Sequence, residues 1–155
     1  MAGTVTLLAS VTQGAADAFA QATINTGLSA ILNTGYTIKQ IEYELPNTGT
    51  VATSWSQELA LSRASKASMA TLADDDLLFR KKFSTFVSTA AGFVIWENVG
   101  IYVPQGEIIL IEEQIYLQFD SNASTLSGTA IMKITCEPIK VTDAQRIAIL
   151  QSRVN

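Results

Sequence analysis

Apolar and polar residues alternate with a period of two along much of this chain, which is the pattern of strands with one buried face. It is clearest over 36–45, YTIKQIEYEL, where Ile41, Tyr43 and Leu45 share one face and Gln40, Glu42 and Glu44 the other. Residues 4–12 are β-branched and apolar, with Val5, Leu7, Ala9 and Val11 in phase, and predict a first strand. Over 55–61, Trp55, Leu59 and Leu61 point inward against Ser56, Glu58 and Ala60. Strand-forming residues return at 79–87, 93–97 and 99–103, and again at 129–141, where Pro138 implies an edge or a bulge. Residues 15–24 fit a helix by alanine content and a strand by the phase of Ala18, Ala20, Ala22 and Ile24. The flanking turn signals favour the strand. Asn-Thr-Gly occurs at 25–27, 33–35 and 47–49, an irregular spacing that marks loops and not a repeat. The longest break in the rhythm, 62–78, predicts a short helix or a loop excursion.

One stretch carries more information than the others. In 103–121, VPQGEIILIEEQIYLQFDS, the residues Val103, Pro104, Gln105 and Gly106 suit a type I turn. The turn leads into a strand pair or one long bent strand. Ile115, Leu117 and Phe119 alternate with Tyr116, Gln118 and Asp120, whereas 108–111 is apolar on both faces. A strand dry on both faces is expected where two sheets pack or where a neighbouring subunit covers one. Ile109 and Ile111 are therefore candidate subunit-interface residues.

The last residues change character. Thr142, Asp143, Ala144 and Gln145 match a capping box, and Ile147, Leu150 and Val154 then fall on one stripe of a helix. So short a helix is marginal alone and needs a surface to dock on, so these three apolar residues join the candidate interface. Residues 1–141 read as one β domain and 142–155 as a helical tail. Eight or so short strands at a spacing near ten residues predict an antiparallel sandwich or barrel, with the eight-stranded jelly roll as the leading candidate at this length. An immunoglobulin-like sandwich fits less well, because the chain lacks the Cys, Trp, Cys pattern.

Composition narrows the function more than it identifies one. The 155 residues are 48% apolar and only 15% charged, against about 25 to 35% charge on well-behaved soluble surfaces. Part of the surface is thus expected to be buried between subunits. The net charge of −4 argues against affinity based on phosphate neutralisation. Arg63, Lys66, Arg80, Lys81 and Lys82 are the residues that could face a polyanion, but Asp74, Asp75 and Asp76 sit among them. Those three aspartates could hold a hard cation, or form a solvated loop.

With no histidine and a single cysteine, Cys136, triad catalysis, Cys–His chemistry and the usual zinc sites are excluded, and Cys136 reads as a small buried residue. No Ser-x-x-Lys or Gly-x-Ser-x-Gly pattern occurs. Glu112 and Glu113 read as surface carboxylates on opposite faces, and Asn122, Ala123 and Ser124 as a loop. No catalytic residue, cofactor or metal is assigned, and an enzyme is not expected. No apolar run reaches a membrane span, and the opening MAGTVTLLASVTQ lacks the basic start of a signal peptide, so a chain that stays in the cytosol, soluble or assembled, is expected.

In order and texture the segments DAFAQATINTGL, YTIKQIEYEL, WSQELALSRASK, IILIEEQIYLQFDSNAS and VTDAQRIAILQSR resemble the small single jelly-roll capsid proteins of icosahedral viruses. The resemblance implies self-assembly into a closed icosahedral shell, with other copies of the chain and further virion proteins as partners, a virion location and synthesis in host cytoplasm. The chain departs from many such proteins in having no basic arm, which puts direct genome contact in doubt. The alternative is a trimeric phage fibre head or lectin-like module, in which Trp55 and Trp96 would be the aromatics to stack on sugar. The neighbours of Trp55 favour the core for it instead.

Overall fold

The computed structural model describes residues 3–29, 33–48, 54–85 and 98–153. Among them run β1 (Val5–Thr12), β2 (Ala20–Asn25), β3 (Thr34–Glu44), β4 (Ser56–Ser62), β5 (Leu77–Ser84), β6 (Val99–Tyr102), β7 (Ile109–Leu110), β8 (Gln114–Asn122), β9 (Thr129–Lys140) and the helix α1 (Asp143–Ser152). The strands form two antiparallel sheets. One has the order β1-β9-β3-β6, with β7 beside one end of β3, and the other β2-β8-β4-β5. β1 pairs with β9, β2 with β8, β3 with β6 and β4 with β5. These nested pairs are those of one long hairpin rolled up on itself, which is a jelly roll. The predicted all-β sandwich with a terminal helix is the observed fold.

The period-two pattern places the core. Leu7 and Val11 of β1, Ile38, Ile41 and Tyr43 of β3, and Met132, Ile134 and Cys136 of β9 meet Leu59 and Leu61 of β4 and Ile115, Leu117 and Phe119 of β8. Phe119, Leu59, Leu61, Ile41, Ile115 and Leu117 are sealed from solvent. Trp55, just before β4, is also buried.

The long run at 103–121 is cut in an informative place. After bends at 105 and 106, β7 lies on the first sheet, with Ile109 opposite Thr37 and Leu110 opposite Tyr36. The chain then crosses at 111–113 and enters the second sheet as β8, between β2 and β4. The change of polarity marks that crossing, and Leu110 and Ile111 are covered by the sandwich itself. Gly35 is required at this end, because a Cβ there would meet the Leu110 carbonyl oxygen at 2.9 Å and Val141 Cγ2 at 2.8 Å. Pro138 falls within β9, which β1 and β3 flank. Since the register pairs the first residue of β1, Val5, with Cys136, Pro138 has already passed the end of β1 and faces no donor-hungry strand there. Pro138 lies opposite Tyr36, and the register irregularity comes further along β3, between Ile38 and Gln40, opposite Cys136 and Thr135.

Two segments differ from expectation. The strand expected over 15–24 begins only at Ala20, after a tight turn in which Asp17 adopts φ 56°. The excursion at 63–76 forms no helix. It lies as a loop over the outer face of the second sheet. Its Ala70 N–H donates to Gln118 Oε1 at 2.9 Å, its Lys66 N–H donates to Gln21 Oε1 at 3.0 Å, and Gln21 Nε2 donates to Ser65 Oγ at 2.7 Å. Gln118 and Ala60, which alternation puts on the polar face, are fully buried under this third layer. The threonines of two Asn-Thr-Gly loops also turn out to be staples. Thr26 Oγ1 donates to the Glu112 carbonyl at 2.6 Å, and the Thr48 carbonyl accepts the N–H groups of Thr125 and Leu126. The strand expected at 93–97 lies outside the described residues.

Candidate assembly surface

α1 begins as its sequence requires. Thr142 Oγ1 accepts the Gln145 N–H at 3.3 Å and the Gln145 side chain returns to the Thr142 N–H at 2.9 Å, which closes the capping box. The apolar stripe, however, is not what holds the helix. Ile147 and Leu150 are 55% and 49% exposed. Val154 lies outside the described residues. Instead, Ala148 and Ile149 border a groove of about 240 Å³ floored by Ile109, Ile139 and Val141. Ile109 is thus half-buried under the helix of its own chain, and Ile111 is buried in the body.

Arginines fasten the helix. Arg146 donates to the Ile111 carbonyl at 3.3 Å, Arg153 donates to the Ile109 carbonyl at 3.4 Å and pairs with the Glu112 carboxylate, and Arg63 reaches Glu112 at 3.4 Å and the Ile109 carbonyl at 3.2 Å. The Ile111 carbonyl lies in the crossing and the Ile109 carbonyl on the two-residue β7, and guanidinium groups supply donors to both. Glu112 is only 17% exposed. It is therefore a structural hub and not the surface carboxylate expected from alternation. Burial, and then the charge of Arg153, lower the pKa of Arg63. The available sequence signal was the seven-residue spacing of Arg146 and Arg153, two turns apart on one helix face.

Among the described residues, the outer face of the first sheet carries exposed apolar side chains. Leu8 on β1, Ile131 on β9, and Val99 and Ile101 on β6 are all exposed there, Leu8 by 70%. The register aligns Ser10, Ile131, Glu44 and Val99 in one row and Leu8, Lys133, Glu42 and Ile101 in the next. A 2.7 Å ion pair between Lys133 and Glu42 crosses the middle. Leu8, Glu42, Val99 and Ile131 border a shallow hollow of about 220 Å³. Clustered apolar side chains make this sheet face the candidate contact surface.

Four of the five candidate polyanion contacts are engaged in ion pairs within the chain. Arg80 and Lys82 both pair with Glu58, at 2.8 and 2.9 Å. Burial opposes the charge of Glu58, but hydrogen bonds from Lys82 and Arg80 outweigh it and hold the carboxyl below its ordinary range. Lys66 pairs with Asp74 at 2.6 Å and Asp76 at 3.6 Å, and Arg63 is committed to Glu112. Lys81 is exposed, with its ammonium 5.6 Å from the Phe83 ring. Asp74 closes a local turn by accepting the Thr71 N–H at 2.6 Å. Its carboxyl, held first by Lys66 and then by Thr71, titrates at about 2. Among the described residues no cluster of acidic or sulfur ligands could hold a metal ion. Cys136 is sealed in the core, and burial pushes its thiol up to about 11. Trp55 presents no open ring, and Trp96 lies outside the described residues.

No family model matches the chain, and no curated protein matches it. Among solved structures, a chain of Desmodium yellow mottle tymovirus is similar over 92% of this chain and 92% of its own, at 10% identity and a TM-score of 0.33. The jelly-roll assignment rests on the strand order and nested pairing described above.

Proposed function

We propose that this protein is a structural capsid subunit that builds an icosahedral virus shell from copies of itself. The observation that carries this reading is the group of exposed apolar side chains in two adjacent rows on the outer face of the first sheet, Leu8, Ile131, Val99 and Ile101, in a chain with only 15% charge. Exposed Ile147 and Leu150 on α1 provide a second contact, presented by a helix already fastened to the body. Ile109 and Ile111 act indirectly in this reading, Ile109 as floor for the helix and Ile111 as core. Four of the five candidate cations are engaged in ion pairs within the chain, so contact with a genome is not assigned.

The test is the mass of the purified protein by light scattering, with electron microscopy of the same sample. Closed particles are expected, and the double variant Ile147→Lys with Leu150→Lys is expected to fold as wild type while shifting mass toward free subunits. A stable monomer overturns the reading. A discrete trimer favours the fibre or lectin-like module instead.

A further inference from the structure

An antiparallel sheet ends in rows of unpaired N–H and C=O groups, and proteins guard such edges with charge, brevity or cover. Among the described strands, three of the four edges at the ends of the two sheets are guarded. β5 carries Arg80, Lys81 and Lys82 in succession. β2 is six residues long, and the 63–76 loop lies over its outer face, hydrogen-bonded through the Gln21 side chain. β6 is only four residues long. β1 differs from all of them. It runs for eight residues, VTLLASVT, without a charge, a proline or a glycine, and pairs with β9 without a register shift. No described element pairs with its other edge.

The parity of the ladder shows which groups are open. The Gln13 N–H donates to the Gly128 carbonyl at 3.0 Å, one step beyond the Thr12 and Thr129 pair. Hydrogen-bonded pairs alternate in an antiparallel ladder, so Val11, Ala9, Leu7 and Val5 face β9 in the same way. Thr6, Leu8, Ser10 and Thr12 therefore turn their backbone donors and acceptors to the open side. Their side chains all lie on the exposed face.

We infer that β1 is a self-pairing edge, which joins two copies of this chain antiparallel about a two-fold axis and makes their first sheets continuous. A two-fold contact requires a surface complementary to itself, and an uncharged regular strand meets that condition where the triply cationic β5 does not. With Ala9 on the axis, Leu8 faces Ser10 of the second copy and Thr6 faces Thr12, so all four open residues are used. The two Leu8 side chains then lie diagonal to each other across the axis, within roughly 8 Å, and cover one another. This names one contact within the proposed assembly and rests on the self-association part of that reading.

Sedimentation velocity of wild type, Leu8→Lys and the control Leu72→Lys tests it. Wild type and Leu72→Lys are expected to associate alike, while Leu8→Lys keeps the wild-type circular dichroism and falls to lower mass. Ala9→Cys is expected to cross-link under mild oxidation, because a non-hydrogen-bonded pair brings its Cα atoms to about 4.5 Å, within disulfide reach. Wild-type mass in a folded Leu8→Lys variant, a monomeric wild type, or no cross-link in associated Ala9→Cys overturns the pairing. If Leu8→Lys fails to fold, the cross-link decides. A discrete dimer lost in Leu8→Lys supports the edge while removing the shell, and a closed particle indifferent to Leu8→Lys keeps the shell while removing the edge.

Discussion

At the scale of single residues, the acidic run shows how a polar cluster can be consumed by its own loop. Asp74 binds Lys66 and the Thr71 backbone, and its carboxyl titrates at about 2 in place of the ordinary 3.8. A carboxyl whose pKa is depressed on folding stabilises the native state above its unfolded pKa, and that contribution disappears as pH falls through the folded value. Asp74 therefore helps hold the 63–76 loop at neutral pH and ceases to between about pH 3.8 and about 2. The expected outcome is that Asp74→Asn melts below wild type at pH 7, that the gap narrows as pH falls below about 3.8, and that it closes below about pH 2. A gap of constant size across that range, followed by thermal melts in matched buffers, would show that the lost side chain matters for shape and not for charge. Because the group is exposed to water, the effect is modest.

At the scale of elements, Glu112 is expected to control how firmly α1 is held. In Glu112→Gln, Arg63 and Arg153 lose their shared carboxylate while keeping the Ile109 carbonyl. Losing a charge-assisted bond of about 1.5 kcal/mol corresponds to roughly tenfold faster opening. Amide hydrogen exchange should accelerate by that order within Asp143–Ser152 and stay unchanged in β4 and β8. Uniform acceleration would instead place Glu112 in global stability. This hub was not legible in the sequence, whereas much around it was. Alternation placed β1, β3, β4 and the inward residues Ile115, Leu117 and Phe119, because a strand's two faces meet different solvents. The capping box was readable because it is made within four residues. Alternation could not say that Gln118 and Ala60 are buried, since their cover is a polar loop of Gly-free, small-residue chain folded back from 63–76. Nor could an apolar stripe reveal that α1 is fastened by Arg146 and Arg153, since their partners, the Ile109 and Ile111 carbonyls and the Glu112 carboxylate, are brought together only where the chain leaves β7 for the crossing at 111–113. The stripe predicted an adhesive helix face, and the fold turns that face to solvent.

At the scale of the whole molecule, the disposition of charge separates two ways in which copies could be held together. A shell glued by a polyanion loses affinity steeply with salt, because each phosphate contact releases counterions. Contacts between uncharged strands and apolar faces lose little, and excluded salts such as sulfate strengthen them. Here Arg63, Lys66, Arg80 and Lys82 are paired within the chain, the net charge is −4, and the exposed patches consist of Leu8, Ile131, Val99, Ile101, Ile147 and Leu150. Raising sodium chloride should also screen repulsion between acidic subunits. Assemblies followed by light scattering are therefore expected to persist or grow as salt rises, to grow further in ammonium sulfate, and to ignore added single-stranded RNA. Dissociation by moderate salt, with rescue by RNA, would mean instead that Lys81 and its neighbours exchange their internal partners for phosphate. In that event the paired cations would be a latent binding surface that opens on contact, and the apolar face of the first sheet would be secondary to it.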